Sequence, residues 1–386
     1  MKLTDGIRYI GVNDHRSDLF EGQYIIPNGM AYNSYVILDE KTAVTDTTEV
    51  RFTDEWLGNL ANALEGRTPD YLIVHHMEPD HSSAIRKFMG LYPEAVIAAS
   101  SQAFSIMRNF CGTDFPDRRI IVRDGDALTL GSHTLTFFTA PMVDWPEVIM
   151  SYDSVDGALF SSDAFGRFGA LDVPDDDWAC EARRYYFGII GKYGAQVQAL
   201  LRKLSGLDIR MICPLHGPVL SENTGFYLDL YDTWSSYRPE SIGTVIAYTS
   251  VYGGTKAAAE LLAEKLMAKG CGDVVLDDLA RMDMAEAVED AFRYDRLVLA
   301  TTTYNAGVFP TMAEFIRQLT ERGYKNRTVA LIENGSWAPC AAKLMRAMLG
   351  EDSGVSFAET AVSIRSVLSE ENRAQIEALA AELSQS

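Results

Sequence analysis

One loop constrains this chain more than any other stretch: His75-His76-Met77-Glu78-Pro79-Asp80-His81, in which His76, Glu78, Asp80 and His81 fall within six positions. It comes directly after the apolar run Tyr71-Leu72-Ile73-Val74, which places these side chains on a loop at the carboxyl end of a strand. In an extended segment His76, Glu78 and Asp80 project to one side, and His81 lies on the turn after them. Nitrogen mixed with hard oxygen suits iron, manganese or zinc, and no nearby cysteine offers a structural zinc knot. The plainer reading is a polar loop capping a helix that begins near Ser82, but two such histidines and two acids make a poor cap.

The same pattern recurs along the first part of the chain. Leu135–Phe138 leads to Pro141-Met142-Val143-Asp144-Trp145, Gly157–Phe160 to Ser161-Ser162-Asp163, and Ile209–Ile212 to Pro214-Leu215-His216-Gly217. Strand ends of one sheet are neighbours in space, so His76, Glu78, Asp80, His81, Asp163 and His216, with Asp144 as a further candidate, are expected to converge. Around them, Gln23–Ile26, Ser34–Leu38 and Thr42–Thr45 read as an antiparallel meander. Thr53 reads as the N-cap of a helix with Trp56, Leu57, Leu60 and Leu64 on its apolar face. Trp178 to Leu204 reads as one helix, and core packing accounts for its Tyr185 and Tyr186. His75 is expected to pack or to orient a neighbour. His15 and His133 read as surface groups.

A length of 386 residues exceeds one ordinary core. Arg238-Pro239-Glu240 breaks the pattern, giving an expected division into residues 1–239 and 242–386. From Gly243 short apolar runs alternate with helical segments, which predicts a parallel doubly wound sheet. Its first strand runs into Ser250, Val251, Tyr252, Gly253, Gly254 and Thr255 and then a helix. Hydroxyls and glycine amides at a helix N-terminus form a nest for a phosphate. Neither a Walker loop nor a Gly-x-Gly-x-x-Gly turn is present. The third strand ends in Thr302, Thr303, Tyr304, Asn305, Ala306 and Gly307, the fourth in Asn334, Gly335, Ser336, Trp337 and Ala338. Ligands of such sheets bind outside the carboxyl strand ends. A flat isoalloxazine between Tyr304 and Trp337, with its phosphate at Ser250 to Thr255, fits these loops; two interface anchors would be the plainer role for the aromatics.

With 54 acids against 34 bases the formal charge is −20, which argues against nucleic acid or anionic membrane as partner and favours a cytoplasmic protein. The amino terminus lacks an export signal, and no stretch approaches a membrane helix. The five cysteines are scattered without a Cys-x-x-Cys pair, as expected of free thiols and not of a fused rubredoxin-type module.

Over essentially its whole length the sequence resembles the flavodiiron proteins, which fuse a metallo-β-lactamase-like αβ/βα sandwich to a flavodoxin-like domain. The His-x-Glu-x-Asp-His loop carries the resemblance most specifically: zinc hydrolases of the same fold have histidine where Glu78 stands. The resemblance implies His76 and Glu78 for one iron, Asp80, His81 and His216 for the other, and Asp163 as the bridging carboxylate. It also implies FMN in the loops named above and reduction of O2 to water or NO to N2O. Electrons would come from a separate donor, and a head-to-tail homodimer or a dimer of dimers would bring one subunit's flavin to the other's irons. One position departs: Pro141-Met142-Val143-Asp144-Trp145-Pro146 has Asp144 where the family has an iron-ligating histidine, leaving the first iron bound by carboxylate, through water, or weakly. The competing readings are a metal-dependent hydrolase with a flavodoxin module and an electron carrier with an impaired metal site.

Overall fold

Alternating strands in the first part of the chain pair into two sheets whose inner faces share one core. The computed structural model describes residues 1–174, 177–350 and 354–385. One sheet runs, in spatial order, Ile7–Tyr9, Tyr35–Leu38, Thr42–Thr45, Tyr71–Ile73, Val96–Ala99 and Arg119–Ile121. It is antiparallel at its first two pairings and parallel beyond them. The other runs Ala127–Thr129, Thr134–Thr139, Ile149–Asp153, Ala158–Phe160 and Met211–Cys213. Ile37, Ala43, Ile73 and Ala98 of the first sheet meet Leu135, Phe137, Ile149 and Phe160 of the second in one buried cluster. Outside the first sheet, helix Thr53–Leu64 buries Trp56, Leu60 and Leu64, each worth roughly 1.5–3 kcal/mol of transfer free energy. This is the expected sandwich.

Local departures have local causes. Phe52 is the N-cap of that helix and Thr53 its first residue, because a 3-10 turn at Val50–Phe52 precedes it. Gln23–Ile26 stays out of the main sheet: Tyr24–Ile25 pairs with Leu19–Phe20 in a separate ribbon. The single helix expected from Trp178 to Leu204 is four pieces, Trp178–Tyr185, a π-helical turn at Tyr186–Ile190, a 3-10 turn at Gly191–Tyr193, and Gly194–Leu204. Gly188, Gly191 and Gly194 weaken regular helix there, and π turns concentrate at functional sites.

Contacts divide the chain between Asp232 and Thr233, several residues before the expected 239–242. The segment from Thr233 groups with the second unit because the Trp234 indole donates to Glu240 (2.7 Å) and Arg327 donates to the carbonyl oxygens of Tyr237 and Arg238. In this second unit the strand order is Asp273–Asp278, Ser241–Tyr248, Tyr294–Tyr304, Thr328–Asn334 and Ser356–Phe357, all parallel. Val362–Ile364 also pairs with Thr328–Asn334. The order reverses beside Ser241–Tyr248, so the loops after it and after Tyr294–Tyr304 open at the switch point of a flavodoxin-type sheet.

Candidate metal centre and phosphate cradle

Strand Tyr71–Ile73 delivers the histidine loop, and Asp46, at the end of the neighbouring strand, fixes it. One Asp46 oxygen accepts the His75 and His76 amides (2.7 and 3.2 Å), and the other lies 2.6 Å from His75 Nδ1. His75 Nε2 reaches Ser151 Oγ at 2.8 Å, so this histidine orients the loop as expected. Glu147 holds the next residue: its Oε1 lies 2.9 Å from His76 Nδ1 and accepts the Met77 amide. With Nδ1–H engaged by Glu147, the His76 Nε2 lone pair faces inward.

His76 Nε2 meets Glu78 Oε2 at 3.3 Å, Asp163 Oδ2 at 3.3 Å and Asp144 Oδ2 at 3.6 Å. Asp80 does not join them, contrary to the expectation from an extended segment. Pro79–Ser82 is a helical turn with Glu78 as its N-cap, which turns Asp80 and His81 toward His216. His81 Nε2 and His216 Nε2 lie 3.0 Å apart, and Asp80 Oδ2 is 3.3 Å from each. His216 Nδ1 donates to the Ala31 carbonyl (2.7 Å), so its Nε2 also presents a lone pair. Asp163 spans the two groups: while Oδ2 faces His76, Oδ1 lies 3.4 Å from His216 Nε2 and 3.7 Å from His81 Nε2.

This donor set calls for cations. Both Asp80 side-chain oxygens, Asp144 Oδ2 and His81 Nδ1 are buried without a hydrogen-bond partner. The donor atoms of His76, Glu78 and Asp144 lie within 4.8 Å of one another, as do those of Asp80, His81 and His216. Burial pushes the Glu78 carboxyl up to about 8, with Asp80 and Asp163 adding to the rise. Burial, then Asp163 and Asp80, also raises Asp144. Burial opposes the Asp163 charge too, yet His76, His81 and His216 hold its carboxyl well below the usual range. Metal ions would favour ionised acids and neutral imidazoles throughout.

In the second unit, Ser250 Oγ accepts the Gly253 and Lys256 amides (3.1 and 3.2 Å) at the start of helix Gly254–Ala268. Gly253 is left-handed at φ 89°. A Cβ on Gly254 would lie 2.1 Å from the Ser366 carbonyl oxygen, so the close approach there requires glycine. Thr255 and Thr302 share a hydroxyl hydrogen bond of 3.1 Å, which ties the first two expected loops together, and Thr303 Oγ1 accepts the Cys340 and Ala341 amides at the start of the helix that follows the third. Tyr252 is 99 % exposed, Trp337 88 % and Tyr304 47 %. The amide nest and free aromatic faces suit a phosphate with a flat ring system.

The model for the ODP family beta lactamase matches residues 30–217, and the Flavodoxin model matches residues 246–377. The nitric oxide reductase of Moorella thermoacetica is 29 % identical over 357 residues, covering 90 % of this chain and 88 % of the relative. The rubredoxin-oxygen oxidoreductase of Megalodesulfovibrio gigas is 25 % identical over 390 residues, covering 98 % and 96 %. Among solved structures, the rubredoxin oxygen:oxidoreductase from Desulfovibrio gigas superposes with a TM-score of 0.91 at 25 % identity, covering 100 % of this chain and 98 % of that one. The flavodiiron protein from Giardia intestinalis, at 23 % identity, shares the fold with a TM-score of 0.91, covering 100 % and 95 %. The chain belongs to the flavodiiron protein family.

In this flavodiiron protein all seven candidate metal donors of the sequence come together, Asp144 included. The sequence reading missed the groups that aim them. Glu147 and Asp46 lie outside the loop they organise, and only the fold reveals the pairing. Tyr185 was expected in the helix core, but its hydroxyl donates to Asp163 Oδ1 at 3.0 Å, because the π turn after it ends the regular helix beside the site. His133 is buried and pairs with Asp153 (3.1 Å), not a surface group: it lies under Gly6, whose Cβ would be 2.5 Å from His133 Nε2. Ser366, which pins Asn334 in the cradle, comes after the three-residue strand Val362–Ile364, too short to leave a pattern. None of the five cysteines is in a disulfide.

Proposed function

We propose that this flavodiiron protein reduces O2 to water, NO to N2O, or both, at a pair of iron ions, with electrons passed from a separate donor through FMN. One observation carries the reading: Asp163 offers one oxygen to each of two donor groups, the geometry of a carboxylate between two metals. The names of the relatives, a nitric oxide reductase and a rubredoxin-oxygen oxidoreductase, support the reaction class and do not favour a hydrolase.

His76, Glu78 and Asp144 would hold one ion, Asp80, His81 and His216 the other. Ser250 to Thr255 would take the FMN phosphate, with Tyr304 and Trp337 against its ring. When bound, FMN and the metal pair supply electron uptake and a place for a small diatomic. The chain's own side chains do the rest. Tyr185 orients Asp163 through its hydroxyl. Trp145 stands edge-on to His76 (5.3 Å between ring centroids), while Phe20 and Tyr32 stand edge-on to His216 (5.4 and 5.8 Å). These rings restrict water around the imidazoles.

A homodimer or dimer of dimers, serving one subunit's metals with its partner's flavin, belongs to this proposal; what supports it is the division of the two sites between separate compact units. The unbridged thiols and acidic charge support a reducing, cytoplasmic setting. No helix among the described residues is long and apolar enough to cross a membrane. Anaerobic stopped-flow of the reduced, iron- and FMN-loaded protein against O2 and against NO tests the function. Consumption of at least one gas in proportion to iron content is expected; hydrolysis of an ester or thioester with no gas consumption would replace the reading.

A further inference from the structure

The two donor groups of the metal centre match in number but not in chemistry. His76, Glu78 and Asp144 offer one imidazole and two carboxylates, whereas Asp80, His81 and His216 offer two imidazoles and one carboxylate. Asp163, with one oxygen toward each group, leaves the inequality as it is. Asp144 creates it. Its Oδ2 lies 3.6 Å from His76 Nε2, buried and with no hydrogen-bond partner, the condition of a donor that a cation would satisfy.

The groups behind the donors repeat the inequality. The His76 ring is backed by the carboxyl group of Glu147, 2.9 Å from Nδ1. The His216 ring is backed by the uncharged Ala31 carbonyl at 2.7 Å, and His81 Nδ1 has no hydrogen-bond partner. Acid groups therefore gather around the first group, as Glu78, Asp144 and, through His76, Glu147, while the second has Asp80 alone beside the shared Asp163.

We propose that the centre sorts two different divalent cations: offered manganese and iron together, it takes manganese at His76, Glu78 and Asp144 and iron at Asp80, His81 and His216. The inference rests on the two-metal reading of this centre and not on which gas is reduced. Iron offered alone fills both groups. Along the divalent series iron binds more tightly than manganese in either group, but imidazole nitrogen favours iron whereas carboxylate oxygen suits manganese, so the advantage of iron is smaller where oxygen dominates. With one ion of each kind, the total free energy is lowest when iron lies between the two imidazoles and manganese beside the two acids. Asp144 is then the residue that determines the sorting, because Asp144→His would give each group two imidazoles and one carboxylate.

The test loads metal-free, FMN-bound full chain anaerobically with one equivalent each of Mn2+ and Fe2+, removes unbound metal, and counts bound ions by elemental analysis. Anomalous diffraction on either side of the manganese and iron absorption edges then reads each site separately. Manganese occupancy at the first site should exceed that at the second by on the order of tenfold, with the reverse for iron. Asp144→His should bind the same total metal and bring that ratio to within about twofold of even. Asp144→Asn, which keeps an oxygen donor and removes its charge, should fall between the two, and it decides the matter if the larger imidazole prevents folding. Two ions per wild-type chain with manganese and iron spread alike over both sites, or wild-type sorting retained in the variants, would overturn the proposal and leave the two-metal reading intact. Fewer than two ions per wild-type chain, whichever metal is offered, would overturn both.

Discussion

In the metal centre the donors are buried, or partly so at Glu78 and Asp144, and aimed at one another, whereas the cradle of the second unit leaves its aromatic side chains standing in solvent. The first arrangement is self-opposed without positive charge: imidazole lone pairs face carboxylates, and Asp80 and Asp144 oxygens have no partner. The second is internally satisfied, since Ser250 caps its own loop and the threonine hydroxyls bond one another. The contrast indicates different dependence on the bound groups. Metals complete the interior of the first unit, while a flavin would add to a surface already formed. This predicts a hierarchy of effects.

The largest effect belongs to Asp163→Ala. It removes the side chain that serves both donor groups, so iron per chain and gas turnover should both fall, by about 100-fold or more in activity. FMN content should stay unchanged if the two sites are as independent as the contrast implies. Metal analysis and flavin absorbance on one preparation decide it, and FMN lost in parallel with iron would break the comparison.

The same contrast explains what the sequence discloses. His76, Glu78, Asp80, His81, Asp163 and His216 announce themselves because polar donors at the ends of apolar runs are chemically conspicuous. The parallel order of the second unit is legible in strands alternating with helices, and Ser250 to Thr255 in hydroxyls and glycines at a helix start. Glu147, Asp46 and Tyr185 are silent, because a lone acid or tyrosine acquires meaning only from the residue that folding sets opposite it. Asp80 shows the limit of strand periodicity. A single proline at position 79 starts a helical turn, and the third ligand of an apparently continuous row joins the other group.

A second prediction probes a buried acid with no convergent donors around it. Asp277 lies on the edge strand Asp273–Asp278, buried, with Oδ2 lacking a hydrogen-bond partner. Burial first, then Asp290 and Glu286, push its carboxyl up to about 8. Because the folded pKa lies above the unfolded one, the protonated native state is favoured; stability is greatest at low pH and is lost as pH rises from about 4 toward 8. Asp277→Asn should therefore stabilise the second unit at pH 8 by on the order of 1–3 kcal/mol, with little effect at pH 4. Thermal unfolding at both pH values measures it. Equal shifts at the two would show that the carboxyl is not the source. Confirmation would distinguish an acid that folding merely tolerates from the acids that await a cation.

The smallest effect concerns Trp337. Its ring contributes little to the fold because it is almost wholly exposed, so Trp337→Ala should leave thermal stability and iron content unchanged. If the isoalloxazine lies between Trp337 and Tyr304, removing either face forfeits stacking of about 1 kcal/mol, a loss of roughly fivefold in FMN affinity. Fluorescence titration of FMN into flavin-free protein measures each variant, and the double variant should lose less than the product of the two, since a ring held on one face alone is already mobile. Unchanged FMN affinity in both single variants would return the aromatics to their plainer role as anchors for another protein surface. In that case the amide nest at Ser250 to Thr255 would have to hold the cofactor chiefly through its phosphate, and inorganic phosphate should then compete with FMN more strongly than in a site where the ring carries much of the affinity.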